Sequence, residues 1–176
     1  MADVQRVAVV TGASSGIGLE SAKALARSGW RVIAVGRNAA RCASAEAEIK
    51  SNAAVGDDVT LLRADLALMR DAQELAGKIS ALTDRVDVLI NNAGGMTSEQ
   101  VMTTEGMESC FAGNHLGPFL LTRQLLPLLC TAAAELPAGS VRIINTSSDG
   151  SEMIPGLNFT DLQNLENYSA GAAYCS

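Results

Sequence analysis

Aromatic residues are nearly missing from this chain: one Trp, two Tyr and three Phe in 176 residues. Large rings cannot fill its core. Glycine is abundant at 16 residues, so helices are expected to lie close on a sheet over an Ala/Val/Leu/Gly core. Histidine occurs once, as His115, and the cysteines Cys42, Cys110, Cys130 and Cys175 show no C-x-x-C spacing. These counts do not supply a zinc ligand set, and no metal is expected. The thiols are expected to be reduced and mostly buried, in a cytoplasmic protein. Positive charge is also short, with 13 Lys and Arg against 19 Asp and Glu and a formal charge of −6. Nucleic acids and anionic membrane surfaces both call for a basic patch, so neither is expected as a partner. A local basic site for one phosphate remains compatible with this balance. The opening residues carry no basic stretch followed by a long apolar one, and no secretory signal is expected. The most apolar segment, residues 111–130, is interrupted by Asn114, His115, Pro118, Arg123, Gln124 and Pro127. It is expected to be a buried helix and not a membrane segment.

What is there alternates regularly. Apolar residues are 48% and charged residues 18%, which places the chain among globular proteins, and its length suits one domain over residues 1–176. Short apolar runs at Val7-Ala8-Val9-Val10, Val32-Ile33-Ala34-Val35, Val59-Thr60-Leu61-Leu62, Val86-Asp87-Val88-Leu89-Ile90 and Val141-Arg142-Ile143-Ile144-Asn145 predict parallel strands buried on both faces. Helical patterns lie between them, over residues 17–26, 39–50, 66–82 and 107–134. Strand and helix in turn predict an α/β, Rossmann-type doubly wound parallel sheet in three α/β/α layers. Residues 148–167 are polar and irregular. A last helix starts near Tyr168 and reaches the chain end, so the domain is expected to be C-terminally truncated. The fifth strand then falls at an exposed edge, where self-association into a homo-oligomer is expected.

Four motifs carry chemistry. Thr11-Gly12-Ala13-Ser14-Ser15-Gly16-Ile17-Gly18 leaves the first strand and opens the first helix, the context of a dinucleotide loop. Gly12 permits the turn, Gly16 admits a pyrophosphate to the backbone, and Gly18 lets helix and strand close up; Ser14, Ser15 and Ile17 line the same loop. The helix N-terminus offers free N–H groups to the phosphates. The second strand ends Val35-Gly36-Arg37-Asn38, without the acid that binds the ribose hydroxyls of NAD. Arg37 suits a 2′-phosphate and is otherwise a solvated surface residue; NADP(H) is favoured over NAD(H). Asp65, followed by Leu66, either accepts from the adenine amino group or caps a helix. Asn91-Asn92-Ala93-Gly94 follows the fourth strand. Its amides tie strand ends together, and Ala93 and Gly94 leave a flat floor.

These motifs, with Asn114 in the long helix and Ser147-Ser148 after the fifth strand, recur in this order in the short-chain dehydrogenase/reductase family. The chain resembles that family over essentially its whole length. The stretches Thr104-Glu105-Gly106-Met107-Glu108, Asn114-His115-Leu116-Gly117 and Phe119-Leu120-Leu121-Thr122 are similar to its branch of retinol dehydrogenases and related carbonyl reductases. The resemblance implies that Asn114 holds a water in a proton relay, Ser148 bonds the substrate carbonyl, and Tyr174 is the general acid/base. The family's lysine would follow Tyr174 by four residues, a position this chain does not contain. Tyr168 is the rival tyrosine, but Ala172 stands four residues after it. His115, next to Asn114, is expected to be structural.

The residue types fit the reaction. Hydride transfer between a nicotinamide and a carbonyl carbon builds charge on oxygen, which a hydroxyl stabilises and an acid neutralises. A free tyrosine has a pKa near 10, so only about one in a thousand is a phenolate at neutral pH, and a nearby cation raises that fraction. The resemblance therefore implies an NADP(H)-dependent oxidoreductase acting on a small-molecule carbonyl or alcohol. Without the lysine, this chain is expected to be a poor catalyst. The alternative is a non-catalytic dinucleotide-binding or truncated protein with a structural or regulatory role.

Overall fold

A parallel strand covered on both faces has no solvent side to mark with polar residues, so it reads as an unbroken apolar run. The five runs read from the sequence form one sheet in the computed structural model, which describes residues 5–54, 58–166 and 168–175. They are β1 (Val7–Thr11), β2 (Arg31–Gly36), β3 (Val59–Arg63), β4 (Val88–Asn91) and β5 (Arg142–Asn145). All pair in parallel in the order β3-β2-β1-β4-β5. Residues 1–4, read above as carrying no secretory signal, lie outside the described residues.

Side chains alternate between the two faces with the strand period of two. Val7, Val9, Ile33, Val35 and Leu89 form one core with Leu75 and Ile79 of α3 (Met69–Leu82) and Leu121, Leu125 and Leu129 of α5 (Gly117–Glu135). Val10, Val32, Ala34 and Val59 form the other with Ala22 and Ala26 of α1 (Gly16–Arg27) and Ile49 of α2 (Ala39–Asn52). This is the three-layer Rossmann-type arrangement that the alternation predicts. β5 is the edge strand. All four of its residues are exposed, with Ile143 at 41% and Ile144 at 44%.

Several elements differ from expectation. The β4 ladder starts at Val88, not Val86, because Val86 N–H bonds Leu128 of α5 and the Asp87 carboxylate turns back to β1. The third helix starts at Met69, not at residue 66, because Asp65 folds the chain into a turn in which Oδ1 accepts from Ala67 N–H at 3.1 Å. The long helix is three pieces: α4 (Ser109–Phe111), a π-turn (Ala112–Leu116) and α5. A 3-10 turn spans Asp149–Met153, and the last helix, α6 (Ala170–Cys175), starts two residues after Tyr168. Cys42 and Cys110 are buried, but Cys130 is exposed on α5, because it shares the outward face of that helix with Leu126. By length and mean hydropathy of 1.2, Ser109–Glu135 could cross a membrane. Here it packs Leu121, Leu125 and Leu129 against α3 and the sheet.

Leu68, the N-cap of α3, offers no side-chain acceptor. Glu105 supplies one from a distant loop, accepting from Met69 N–H at 2.6 Å and Arg70 N–H at 3.2 Å. A carboxylate there also meets the positive end of the helix dipole. Glu105→Ala is expected to lower stability by about 0.5–2 kcal/mol, read as a shift in urea midpoint at unchanged slope. An unchanged midpoint would show that the loop, and not its carboxylate, holds α3.

Candidate functional site

The site lies at the carboxyl ends of the strands, where chain order reverses between β1 and β4 and a crevice opens. Its floor is built by short-range necessity. Gly12 has φ +68°, and a Cβ on it would lie 2.9 Å from Ala93 Cα. Gly18 is held against the Gly12 carbonyl, where no side chain fits. Thr11, the first residue of the loop motif and given no role of its own from the sequence, clamps the seam. Its hydroxyl donates to the Ile90 carbonyl at 3.2 Å and accepts from Asn92 and Ala93 N–H, each at 3.0 Å. Asn92 Nδ2 returns to the Thr11 carbonyl at 3.0 Å, and Asn91 Nδ2 reaches Asn145 Oδ1 at 2.9 Å. The amides thus tie β1, β4 and β5 together, as the sequence reading held.

Two clefts share this floor. One, of about 420 Å³, is lined by Gly12, Ser14, Ser15, Arg37, Asp65, Leu66, Asn92, Ala93 and Gly94. Ser15, the N-cap of α1, makes no side-chain cap hydrogen bond to the first turn of that helix. Gly16 begins α1 with nothing within 4 Å of a built Cβ. Arg37 is exposed, and its Nη1 stands 3.4 Å from Asp65 Oδ2. The Asp65 carboxylate is therefore engaged twice, by Arg37 and by the turn at Ala67. Arg41, one helical turn after Arg37, lines the same cleft. The sequence reading missed it, although Asn38 caps α2 by accepting from Arg41 N–H at 3.0 Å and so fixes Arg41 beside Arg37. These two cations form the local basic site in an acidic chain.

The second cleft, of about 820 Å³, is lined by Ile17, Asn92, Ala93, Gly94, Asn114, Ser148 and Tyr174, among others. All three candidate catalytic residues thus face one space. Ser148 ends its strand-to-turn connection by accepting from Gly150 N–H at 3.1 Å, which leaves its own hydrogen to donate elsewhere. A Cβ built on Gly150 would lie 3.3 Å from Ser148 Oγ and 3.9 Å from Tyr174 Cε1, so the two side chains flank one point. Asn114 stands in the π-turn, a feature frequent at functional sites. Its Oδ1 accepts from Gly95 N–H at 2.9 Å and its Nδ2 donates to the Gly95 carbonyl at 2.8 Å. That side chain is occupied with the floor. Tyr168 is spent elsewhere, on Thr97, with its hydroxyl 2.9 Å from Thr97 Oγ1. His115 stacks between Phe111 and Phe119 at centroid distances of 5.5 and 6.3 Å. Cys110 is buried beneath the floor, and burial, with the Glu108 carboxylate beside it, pushes its thiol up to about 11.

A family model described as short chain dehydrogenase matches residues 6–160. The chain is 40% identical to human polyprenol dehydrogenase over 169 residues, covering 96% of this chain and 50% of that protein. It is 38% identical to human retinol dehydrogenase 13, covering 97% of this chain and 49% of that one. The chain spans about half the length of the curated relatives it matches. Among solved structures, the Pseudomonas aeruginosa RhlG/NADP active-site complex matches with a TM-score of 0.72 at 30% identity, over 98% of this chain and 62% of that one. A metagenomic short-chain oxidoreductase in complex with NADP matches with a TM-score of 0.71 at 29% identity, over 97% and 68%.

Proposed function

The chain belongs to the short-chain dehydrogenase family, in its retinol dehydrogenase-like branch, and on that premise we propose that it is an NADP(H)-dependent oxidoreductase interconverting a carbonyl and an alcohol. One observation carries the reading: Asn114, Ser148 and Tyr174 line a single cleft, and that cleft shares Asn92, Ala93, Gly94, Gly95 and Asn114 with the glycine-floored crevice.

The crevice fits a dinucleotide. Its floor has no room for side chains at Gly12 and Gly18, and the first-turn N–H groups of α1 face it without a side-chain cap. Gly12, Ser14, Ser15, Gly16, Ile17 and Gly18 would hold the pyrophosphate through backbone groups. Arg37 and Arg41 would take the 2′-phosphate, and Asp65 with Leu66 the adenine. Asn92, Ala93 and Gly94 would form the surface beneath the nicotinamide half. When bound, the cofactor supplies or accepts the hydride. Ser148 donates its free hydroxyl hydrogen to the substrate oxygen. Tyr174 delivers a proton to that oxygen in reduction and removes it in oxidation. Asn114 keeps the floor beside them in register through its paired bonds to Gly95. The two relatives in complex with NADP support the choice of phosphorylated cofactor.

The second reading is a protein that binds the dinucleotide without turnover.

Fluorescence titration with NADPH and NADH tests the first reading. A charge-assisted phosphate contact is worth about 1.5–3 kcal/mol, so NADPH is expected to bind roughly tenfold or more tightly than NADH. Arg37→Ala and Arg41→Ala should each remove much of that difference and leave NADH affinity unchanged. Equal affinities for the two cofactors in the starting protein would overturn the assignment. Tight NADPH binding with no consumption of NADPH against a panel of aldehydes and ketones would select the second reading.

A further inference from the structure

We propose that Cys110 is a positioning residue that couples the floor of the crevice to the helix carrying Tyr174. The inference rests on the reading of Tyr174 as the proton donor, and it concerns how that side chain is held in place.

Cys110 sits in α4, is 3% exposed, and is fixed from below by Glu108, whose Oε1 accepts from Cys110 N–H at 2.9 Å. Its sulfur meets three groups from three different parts of the chain. Asn114 Nδ2 donates to Sγ at 3.1 Å. The thiol faces two carbonyl acceptors, Gly95 at 3.4 Å and Ala173 at 3.5 Å. Gly95 belongs to the floor and is the residue that Asn114 grips from both sides. Ala173 immediately precedes Tyr174 and is itself buried in α6. Thr97–Tyr168 and Glu108–Gln163 hold the loop before α6, and the thiol carries the connection on to α6 at Ala173.

The chemistry of the group suits this place. A thiol carries one hydrogen and two acceptors share it, so the sulfur can pull on either carbonyl as α6 and the floor shift. Burial keeps the thiol protonated across the working pH range, so it remains a donor and does not become an anion facing two carbonyl oxygens. Sulfur bonds at longer range than oxygen, which lets one atom reach three partners that stand on separate elements. A loss of this contact leaves the floor bound to Asn114 but removes its link to Ala173, the residue before Tyr174.

The test compares Cys110→Ser, which keeps a donor with shorter reach, with Cys110→Val, which keeps the bulk and removes the donor. Cys110→Ala accompanies them in case valine overpacks and the protein fails to fold. Amide hydrogen exchange resolved by residue is the primary readout. In the valine variant, exchange is expected to rise about tenfold at residues 94–96 and 172–175 and to stay unchanged in β1 and α5. The serine variant should stay within about threefold of the starting protein at those amides. In turnover, kcat of the valine variant should fall by about tenfold while the NADPH dissociation constant stays within about twofold. Exchange in the valine variant equal to that of the starting protein would overturn the proposal. So would greater loosening in serine than in valine, which would mark a packing role, or a rise spread evenly over the molecule. If the starting protein binds NADPH but turns over nothing, the proton-donor reading of Tyr174 falls, and the exchange pattern by itself decides the coupling.

Discussion

Tyr174→Phe is expected to lower NADPH-dependent carbonyl reduction by a factor on the order of 10²–10⁴ and to leave NADPH affinity within about twofold. The variant keeps the ring that packs beside Gly150 and deletes only the hydroxyl. On the proposed reading Ser148, on the other side of that point, would still donate one hydrogen bond to the substrate oxygen. It would not finish the reaction, because an aliphatic hydroxyl is a poorer proton donor than a phenol. The oxygen then has to take its proton from water, and the general-acid contribution is lost. Because Tyr174 is 40% exposed, no buried partner is orphaned by the change and stability should hold. The assay is NADPH consumption at high protein concentration, where a slow starting rate remains readable, with binding followed in parallel. Undiminished turnover in the phenylalanine variant would remove Tyr174 from the reaction. Loss of NADPH affinity to the same degree as turnover would mean that the residue serves binding instead.

Asp87→Ala should cost about 3–5 kcal/mol, against a total stability of about 5–15 kcal/mol for a domain. Asp87 is fully buried at the amino end of the sheet. Its Oδ2 accepts from Val7 N–H at 2.8 Å and from Arg85 Nε at 3.2 Å, and its Oδ1 accepts from Arg85 Nη2 at 2.7 Å. Arg85 Nη1 continues to Glu135 at the end of α5 at 2.7 Å. Removing the carboxylate leaves Arg85 Nε and Nη2 and the Val7 N–H without the acceptor they share, while Arg85 keeps Glu135. The cost is therefore mostly that of unpaired groups, and the double variant Asp87→Leu with Arg85→Leu is expected to regain a large part of it. Urea unfolding measures both. A loss of under about 1 kcal/mol in the single variant would show that water reaches the site and that the knot is not dry. Since this knot lies at the opposite end of the strands from the clefts, NADPH affinity of the folded fraction should not change.

The contrast between these two residues explains what the sequence can disclose. Tyr174, the glycine loop and Asn91-Asn92-Ala93-Gly94 sit in local patterns, where neighbours a few residues away define the context. The strands were legible for the same reason, since an apolar run needs no partner to be recognised. Asp87 lies in one of those runs and was read only as part of a strand, because the group that explains it, Val7 N–H, is 80 residues away. Glu105 is similar, capping a helix start 36 residues earlier in the chain. The π-turn has no sequence mark, because it arises where Asn114 and Gly117 meet the floor and the Leu66 carbonyl, between which no side chain on Gly117 would fit. Arg41 and Cys130 are different: both were within reach. Arg41 follows Arg37 by one helical turn behind a capping Asn38. Cys130 follows Leu126 by four, out of phase with the buried series Leu121, Leu125 and Leu129, and counting that phase places the thiol outside.

The strand order carries a consequence for how the chain can be made. A ribosome delivers about 5–20 residues per second, so these 176 residues emerge over roughly 9–35 s, long enough for each piece to settle before the next arrives. β2 docks on β1, β3 on β2, β4 on the other side of β1, and β5 on β4. At no step does a new strand have to be inserted between two that are already paired. Growth is always by addition to a free edge, first outward on one side and then outward on the other. The crevice is the seam left where the direction of growth reversed, so it is present as soon as β4 arrives, before Ser148 or Tyr174 has been synthesised. A nascent chain therefore completes the strand seam beside its glycine loop while the segments carrying Ser148 and Tyr174 are still being added.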